Sequence, residues 1–229
     1  KFWKLKYNLL QARNEGHHTL LTFGGAFSNH IYATAAAARA AGFGSVGIIR
    51  GEAHLPLNST LQFARDNGMR LHYMDRTTYR HKHTSEVLEQ LATQFGKFYL
   101  IPEGGSNALA VKGCREMALA LPPADFVCTA CGTGGTMAGL VAANLQAEIA
   151  GFPVLKGGGF LQQEVENLLL EAGFAHGTGK WHLQTGYHFG GYARQKPALT
   201  HFIEQFEVAT HIPLEFVYTG KMLFGVIDL

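Results

Sequence analysis

Three adjacent polar side chains follow an apolar run near the start of the chain. The stretch LLTFGGAFSNHIYATAAAARAAG, residues 20–42, leads through two glycines to Ser28, Asn29 and His30, and then into an alanine-rich helical pattern. A hydroxyl, an amide and an imidazole at the start of a helix can hold a small anion or move a proton. The same pattern also fits an ordinary helix cap, since Ser and Asn are both favoured at that position.

A glycine-rich turn in the middle of the chain is the strongest local signal. In CTACGTGGTMAG, residues 128–139, an apolar strand pattern ends and a helical pattern begins. The backbone amides of such a turn can point at one anion, and the helix dipole adds to the attraction. Because glycine is costly unless its freedom is used, the pattern favours a phosphate site over a turn without a ligand. The residues that would hold the phosphate are Gly132, Thr133, Gly134, Gly135 and Thr136.

The turn lacks residues that two common classes of phosphate site, the P-loop and the dinucleotide site, require. A P-loop would need Gly-Lys-Ser/Thr, and the turn contains no lysine. A dinucleotide fingerprint would need glycine at Met137 and an acid at the end of the next strand, and the predicted strand GFPVLK ends in Lys156. A single phosphate monoester, such as that of pyridoxal phosphate, is therefore favoured.

Other conspicuous residues have a structural interpretation beside a functional one. Tyr192 and Tyr218 lie beside glycines in stretches that follow or form a short strand, and they could serve a site or simply pack with satisfied hydroxyls. Cys128 and Cys131 form a C-x-x-C, but residues three apart on a strand face opposite sides. The two histidines of RHKHT fit a solvated loop. We therefore predict no metal site.

The bulk composition is that of a globular protein. The chain has 229 residues, of which 47% are hydrophobic and 16% charged, and its formal net charge is +2 with the basic residues dispersed. These values predict no basic surface for nucleic acid, and no uncharged apolar run is long enough to span a membrane. Three cysteines, an odd number, favour a reducing compartment, and we expect a cytoplasmic location.

The elements that must position these residues alternate along the chain. Short apolar runs predict strands at 19–23, 45–49, 70–74, 98–101, 125–130, 152–155 and 182–185, and helical patterns lie at 29–41, 59–67, 84–95, 107–120, 136–146, 161–173 and 197–209. Such alternation predicts an α/β fold with two doubly wound parallel-sheet domains, 1–112 and 113–229, divided near LPPAD. Ligands in such folds bind at the carboxyl ends of the strands.

Taken in order, these stretches resemble the family of 1-aminocyclopropane-1-carboxylate deaminase and D-cysteine desulfhydrase. These are pyridoxal-phosphate enzymes of the tryptophan-synthase-β fold type, also called fold type II. The matching stretches span nearly the whole chain; they are KFWKLKYNLL (1–10), FGGAFSNH (23–30), GIIRGE (47–52), YLIPEGGSN (99–107), CGTGGTMAG (131–139), VLKGG (154–158), GGYAR (190–194) and VYTGK (217–221). The family pattern extends beyond both ends, so the resemblance implies a catalytic core trimmed at each end, and a homodimer.

The resemblance assigns a role to each candidate residue. It implies that Lys1 holds the cofactor, with Lys4-Leu5 completing the lysine motif, although the Gly-Asn that precedes the family's lysine is absent. Ser28 would lie near the substrate as a group for proton transfer. By the same resemblance, substrate binding falls to Ser28, Asn29 and His30; the cofactor is contacted by Lys1, Asn29, the five residues of the glycine turn and Thr219; and Tyr192 and Tyr218 face the substrate.

Two positions bear on the reaction. Deaminases of the family tend to have Gln where this chain has His30, and Glu where it has Thr219. The chain therefore resembles the desulfhydrases more, and the implied reaction is the elimination of sulfide from D-cysteine, a small amino acid, to give pyruvate and ammonia. The alternatives are the ring-opening deaminase, a racemase or dehydratase of the same fold type, and a non-catalytic small-molecule-binding protein.

Overall fold

The structure is a computed structural model that describes residues 1–174 and 180–229. The chain forms two compact units, which we call unit 1 (Lys1–Ser106) and unit 2 (Asn107–Leu229). Each unit has its own parallel sheet with helices in the connections. The division into catalytic domains at 112/113 stays a prediction.

Unit 1 alternates helices and strands from its first residues. Its elements are α1 (Phe2–Asn14), β1 (Thr19–Gly24), α2 (Asn29–Ala41), β2 (Gly44–Arg50), α3 (Ser59–Asp66), β3 (Met69–Met74), α4 (Arg76–Arg80), α5 (Ser85–Phe95) and β4 (Tyr99–Ile101). A short 3-10 turn, Glu103–Gly105, follows β4. The central strands β1 and β2 are buried along nearly their whole length, as expected for a parallel sheet covered on both faces.

The sheet of unit 1 reverses its strand order beside β1. The order is β3-β2-β1-β4, and all three pairings are parallel. The chain first builds outward from β1 to β3 and then returns to place β4 on the other side of β1. In open α/β sheets, ligands bind outside the carboxyl ends of the strands at such a reversal. The topology of unit 1 therefore points to the ends of β1 and β4.

Unit 2 has the same alternation around a smaller sheet. Its elements are α6 (Ala108–Leu119), β5 (Phe126–Cys131), α7 (Gly135–Ala142), β6 (Glu148–Pro153), α8 (Leu161–Glu171), β7 (Trp181–Leu183), α9 (Pro197–Thr210) and α10 (Thr219–Asp228). The strands pair in parallel in the order β5-β6-β7. Its core is formed by α6, α7 and α8 against β5 and β6, and includes the fully buried Met137, Ile149 and Val165.

The predicted parallel α/β class is confirmed, and most predicted elements agree with the structure to within a few residues. The strand predicted at 152–155 is wrong in position, because β6 is Glu148–Pro153. The middle of β6 is Ala150 and Gly151, which have weak strand propensity. A Cβ at Gly151 would lie 2.7 Å from Leu183 Cδ2, so the sheet needs a small residue there.

Three further differences concern helices. The predicted helix 136–146 is wrong at its end, since α7 ends at Ala142 and Asn144 has a φ of 51°. The short strand considered within 215–225 is absent, because that stretch forms a turn and then α10. The helices α1 and α4 were not predicted from periodicity.

Candidate functional site

The candidate residues of unit 1 gather at the reversal point of its sheet. Ser28, Asn29 and His30 lie where β1 ends and α2 begins, and the 3-10 turn follows the neighbouring β4. We call this cluster, with Lys1 and Lys4, half-site 1. It is formed because parallel strands place their carboxyl ends, and the amino ends of the helices that follow, at one edge of the sheet.

Ser28 is the N-cap of α2. Its Oγ accepts hydrogen bonds from the backbone N–H groups of His30 and Ile31, both at 3.3 Å. The close approach depends on Gly24, because a Cβ there would lie 2.7 Å from the Ser28 Oγ. The cap uses only the lone pairs of the oxygen, so the hydroxyl proton remains available for a ligand. The cap and ligand interpretations of Ser28 are therefore compatible.

His30 is buried and held as a neutral imidazole. Its Nε2 lies 2.8 Å from the Thr22 Oγ1, and the Thr22 hydroxyl donates to the carbonyl of Ile101 at 2.8 Å. Because the hydroxyl proton is engaged by Ile101, Nε2 must donate to Thr22. Burial, and then the charges of Lys1 and Lys4, hold the pKa of His30 well below its usual 6.5. The imidazole therefore fixes the sheet edge and adds no positive charge to half-site 1.

The two lysines of half-site 1 have different surroundings. Lys1 is exposed and its backbone carbonyl accepts the first hydrogen bond of α1. Lys4 is 3% exposed, and its Nζ donates to the Gly104 carbonyl at 2.7 Å and to the Ser106 Oγ at 2.9 Å. Lys4 therefore ties α1 to the turn after β4. The effect of Lys1 on the pKa of His30 places these two residues within electrostatic reach of each other.

Asn29 is the first residue of α2, and its side chain is exposed. It lies next to the buried Ser28 and His30 in sequence but points away from their packed surroundings. An exposed amide at a helix start can still donate to or accept from a ligand.

The glycine turn of unit 2 has the geometry of an anion cradle. Gly132, Thr133 and Gly134 form a bend after β5, and Gly135 begins α7. Gly134 has a φ of 75° and is the N-cap of α7, and as a glycine it has no side chain to cap the first turn. The first amides of α7 are thus left for another acceptor, and the half-exposed Thr133 and Thr136 add hydroxyl donors. The turn fits the phosphate of pyridoxal phosphate.

Two tyrosines lie beside this turn within unit 2. A Cβ at Gly132 would lie 3.2 Å from the Tyr218 Cε1, so the Tyr218 ring packs directly against the turn. The rings of Tyr192 and Tyr218 meet edge to face, with centroids 6.3 Å apart. The structure therefore brings Tyr192, Tyr218 and the glycine turn together, and we call this cluster, with Thr219, half-site 2.

Glu215 organises the chain around Thr219 and was missed by the sequence interpretation. Its carboxylate accepts from the backbone N–H groups of Val217 at 2.7 Å, Tyr218 at 2.8 Å and Thr219 at 2.8 Å. In return the Glu215 N–H donates to the Thr219 Oγ1 at 3.1 Å. This reciprocal capping explains why 215–218 forms a turn rather than a strand. A Glu four residues before a helical Thr was the signal in the sequence.

Several other groups are accounted for by packing. Cys114, Cys128 and Cys131 form no disulfide in the described structure, and burial raises the pKa of Cys128. Across residues 1–174 and 180–229, no group of three or more His, Cys, Asp or Glu side chains is arranged to hold a metal ion. Over the same residues, the structure has no helix both long and apolar enough to cross a membrane.

Comparison with known proteins identifies the family and the fold type. Residues 1–156 match the model of a family described as pyridoxal-phosphate-dependent enzymes. A solved structure described as a 1-aminocyclopropane-1-carboxylate deaminase homologue superimposes with a TM-score of 0.85 at 26% identity, covering 100% of this chain and 74% of that one. The predicted family resemblance and fold type are confirmed by these matches.

Two named relatives cover the whole of this chain. A protein from Pyrococcus abyssi (strain GE5 / Orsay), provisionally named 1-aminocyclopropane-1-carboxylate deaminase, is 30% identical over 244 residues, and the match covers 74% of its length. The mitochondrial bifunctional D-cysteine desulfhydrase/1-aminocyclopropane-1-carboxylate deaminase of Arabidopsis thaliana is 30% identical over 254 residues, with 63% of its length covered. The chain is thus similar to proteins named for both of the expected activities.

The neutral state of His30 predicts a pH-dependent stability. Since its pKa is lowered in the folded state, the unfolded chain binds the extra proton as the pH falls below 6.5, the usual value. The free energy of unfolding should therefore decrease below pH 6.5, with this residue contributing up to about 1.4 kcal/mol per pH unit. We expect His30→Gln, which retains a donor for Thr22, to remove this contribution. Urea unfolding at pH 7.5 and at pH 5.5 would measure it.

The exposed His54 supplies the control. His54→Gln should leave the difference between the two pH values as in the unchanged protein, because it leaves the buried His30 and its contact with Thr22 in place. If His30→Gln shows the same decrease as the unchanged protein, His30 is not the titrating group.

Proposed function

Because the chain belongs to the family of pyridoxal-phosphate-dependent enzymes, we propose that it eliminates sulfide from D-cysteine. In this reaction D-cysteine and water give pyruvate, ammonia and hydrogen sulfide. The proposal is supported by the chain's similarity to a relative named for D-cysteine desulfhydrase activity. The observation that carries it is the hydrogen bonding of Thr219 in half-site 2.

In this proposal the cofactor contacts are those that the family resemblance implies. Lys1 would carry it covalently, Asn29 would bond its ring hydroxyl, and the turn from Gly132 to Thr136 would bind its phosphate. When bound, pyridoxal phosphate supplies an electron sink for the bond broken at the substrate Cα. The amino end of α7 suits the phosphate because its amides and dipole both favour a dianion.

Ser28 is the residue that we propose moves a proton at the substrate Cα. Its Oγ already accepts two backbone N–H groups at 3.3 Å, and these donors would stabilise negative charge on the oxygen. An N-cap serine can therefore give up or take back its hydroxyl proton more readily than an isolated one. By the family resemblance, Tyr192 and Tyr218 would face the substrate.

The hydroxyl of Thr219 favours the desulfhydrase. Its Oγ1 accepts from the Glu215 N–H at 3.1 Å, whereas the Glu215 carboxylate and carbonyl oxygens both lie at 3.4 Å, too far for strong acceptors. The hydroxyl therefore donates only weakly to Glu215, and a neutral ring nitrogen of the cofactor would compete for its proton. A neutral ring is a weaker electron sink, which suffices when a good leaving group such as sulfide departs.

One observation keeps the deaminase as a second candidate. Opening a cyclopropane ring needs the stronger sink of a protonated ring, which a nearby carboxylate would favour. Glu215 places a carboxylate beside Thr219 even though residue 219 is not Glu. That carboxylate already accepts three backbone N–H groups, however, and these reduce its effect on a neighbouring group.

Two finer points of the proposal rest on the family resemblance. We propose a homodimer, and a reducing compartment such as the cytoplasm. The odd number of cysteines, three, supports the second of these.

The choice between the two candidates is testable with the purified, cofactor-loaded protein. We expect kcat/KM for sulfide release from D-cysteine to exceed that for keto-acid release from 1-aminocyclopropane-1-carboxylate. Thr219→Glu should lower the first value, while the matched variant Thr219→Ser, which keeps the hydroxyl, should retain it. Faster turnover of the cyclopropane substrate by the unchanged protein would refute the Thr219 argument and favour the deaminase.

Phosphate binding by the glycine turn can be tested at Thr136. The half-exposed position of Thr136 in the first turn of α7 accepts a polar substitution without the strain that the positive φ of Gly134 would impose. Thr136→Asp adds a negative charge beside the dianion, which should raise the dissociation constant of pyridoxal phosphate by on the order of 10²–10³. Thr136→Asn removes the same hydroxyl without the charge and should weaken binding far less. Equal affinities of the two variants, measured by cofactor absorbance, would exclude the turn as the phosphate site.

The proton-transfer role of Ser28 predicts a loss of rate without a loss of cofactor. Ser28→Ala should lower kcat by roughly 10²–10⁴ while the protein still binds pyridoxal phosphate. Because the substitution also removes a helix cap, it should cost about 1 kcal/mol of stability. Asp75→Ala, which removes the cap of α4 instead, is the control for that cost and should keep its kcat. A Ser28→Ala protein with near-native kcat would reduce Ser28 to a helix cap.

A further inference from the structure

Lys221 is a buried cation in unit 2 that the proposed reaction does not use. It lies in the first turn of α10 and is 1% exposed. Its Nζ donates to the carbonyl of Gly191 at 2.7 Å. In the part of the chain that the structure describes, no carboxylate pairs with it. A lysine buried so completely and held by a backbone carbonyl needs an explanation.

The carbonyl that Lys221 binds belongs to a tight turn. Gly191 has a φ of 116°, which favours glycine, and its N–H donates to the His188 carbonyl at 3.0 Å. Its carbonyl also accepts from the Arg194 N–H at 3.1 Å. Two backbone hydrogen bonds of Gly191 therefore already hold this turn. The hydrogen bond from Lys221 is a third, and it comes from a different element, α10.

This turn carries Tyr192. The residue follows Gly191 directly, its hydroxyl oxygen is buried, and its ring meets that of Tyr218 edge to face. Tyr218 is the N-cap of α10, three residues before Lys221. The acceptor of the Lys221 hydrogen bond, Gly191, is thus next to Tyr192. The donor, Lys221, is on α10, the helix whose N-cap is Tyr218.

We propose that Lys221 is a positioning residue that fastens the Gly191 turn to α10 and so holds Tyr192 against Tyr218. It touches neither substrate nor cofactor in this role and acts through the two tyrosines. That these tyrosines face the substrate rests on the proposed function above, whereas the fastening of the turn does not.

The energetics favour a positioning role for Lys221 over a stabilising role. Burial lowers the pKa of Lys221 to about 8, which opposes its charged form, and the negative charge of Glu215 offsets this only in part. An apolar side chain of similar shape would avoid this desolvation, and replacing buried charges in this way is often neutral or stabilising. Such a side chain could not bond the Gly191 carbonyl, however. The lysine thus gives orientation at a cost in stability.

The test is Lys221→Met, which keeps the length of the side chain and removes the donor. Hydrogen exchange followed by mass spectrometry should show the amides of the turn, including those of Gly191 and Arg194, exchanging about tenfold faster, since a hydrogen bond from a charged donor is lost. The thermal midpoint should stay the same or rise. Lys4→Met, which removes the other well-buried lysine from unit 1, should leave exchange in this turn unchanged.

A kinetic cycle tests the action through Tyr192. Lys221→Met should raise KM for D-cysteine more than it lowers kcat, and combining it with Tyr192→Phe should give less than the product of the two single effects on kcat/KM. Unchanged exchange in the turn would overturn the proposal, as would fully independent effects in the cycle. If the protein lacks activity on D-cysteine, the exchange result still decides whether the turn is fastened. Should the Met variant fail to fold, Lys221→Gln, whose amide is too short to reach Gly191, replaces it in both measurements.

Discussion

Parallel pairing of every strand is the constraint from which both half-sites follow. A parallel connection requires a crossover, and the crossover helices bury both faces of the sheet. Parallel pairing also brings the carboxyl ends of the strands to one edge of the sheet, where the amino ends of the following helices lie. In unit 1 this edge receives Ser28 at the start of α2, and in unit 2 it receives the glycine turn at the start of α7. Within each unit, polar residues can therefore gather at this edge although the strands themselves are apolar.

The sequence predicts the fold wherever burial alone determines the local conformation. The buried strands β1 and β2 appear as apolar runs, and their limits are predicted to within one residue. Prediction from the sequence fails where crowding or side-chain hydrogen bonding determines the local conformation. The middle of β6 requires a glycine at position 151 because Leu183 and Cys131 crowd it, and a glycine there does not resemble a strand. The stretch 215–218 contains an apolar run, but reciprocal capping between Glu215 and Thr219 turns it into a helix start.

The residues of the candidate site likewise fall into those that the sequence indicates and those that it does not. Short motifs were enough to indicate Ser28 and the glycine turn, because a cap and an anion cradle are made from consecutive residues. The network of His30 with Thr22 and Ile101 joins residues up to 79 positions apart, and no local pattern reports it. Lys221 was equally hidden, since a lysine in a helix is usually solvated. What the sequence could not supply was which polar groups become buried together.

The capping of α10 by Glu215 also has a consequence for ligand selectivity. Two helices of unit 2 begin near candidate residues, and each amino end carries a partial positive charge. At α10 that charge is met by a carboxylate of the chain itself, whereas the N-cap of α7 is Gly134 and the first turn of α7 has no acidic residue. An anionic ligand thus finds one receptive helix end, and at the other it meets a charge of its own sign. Unit 2 is thereby suited to a compound with one phosphate group, and it disfavours a dinucleotide or diphosphate whose second charged group would need to approach α10.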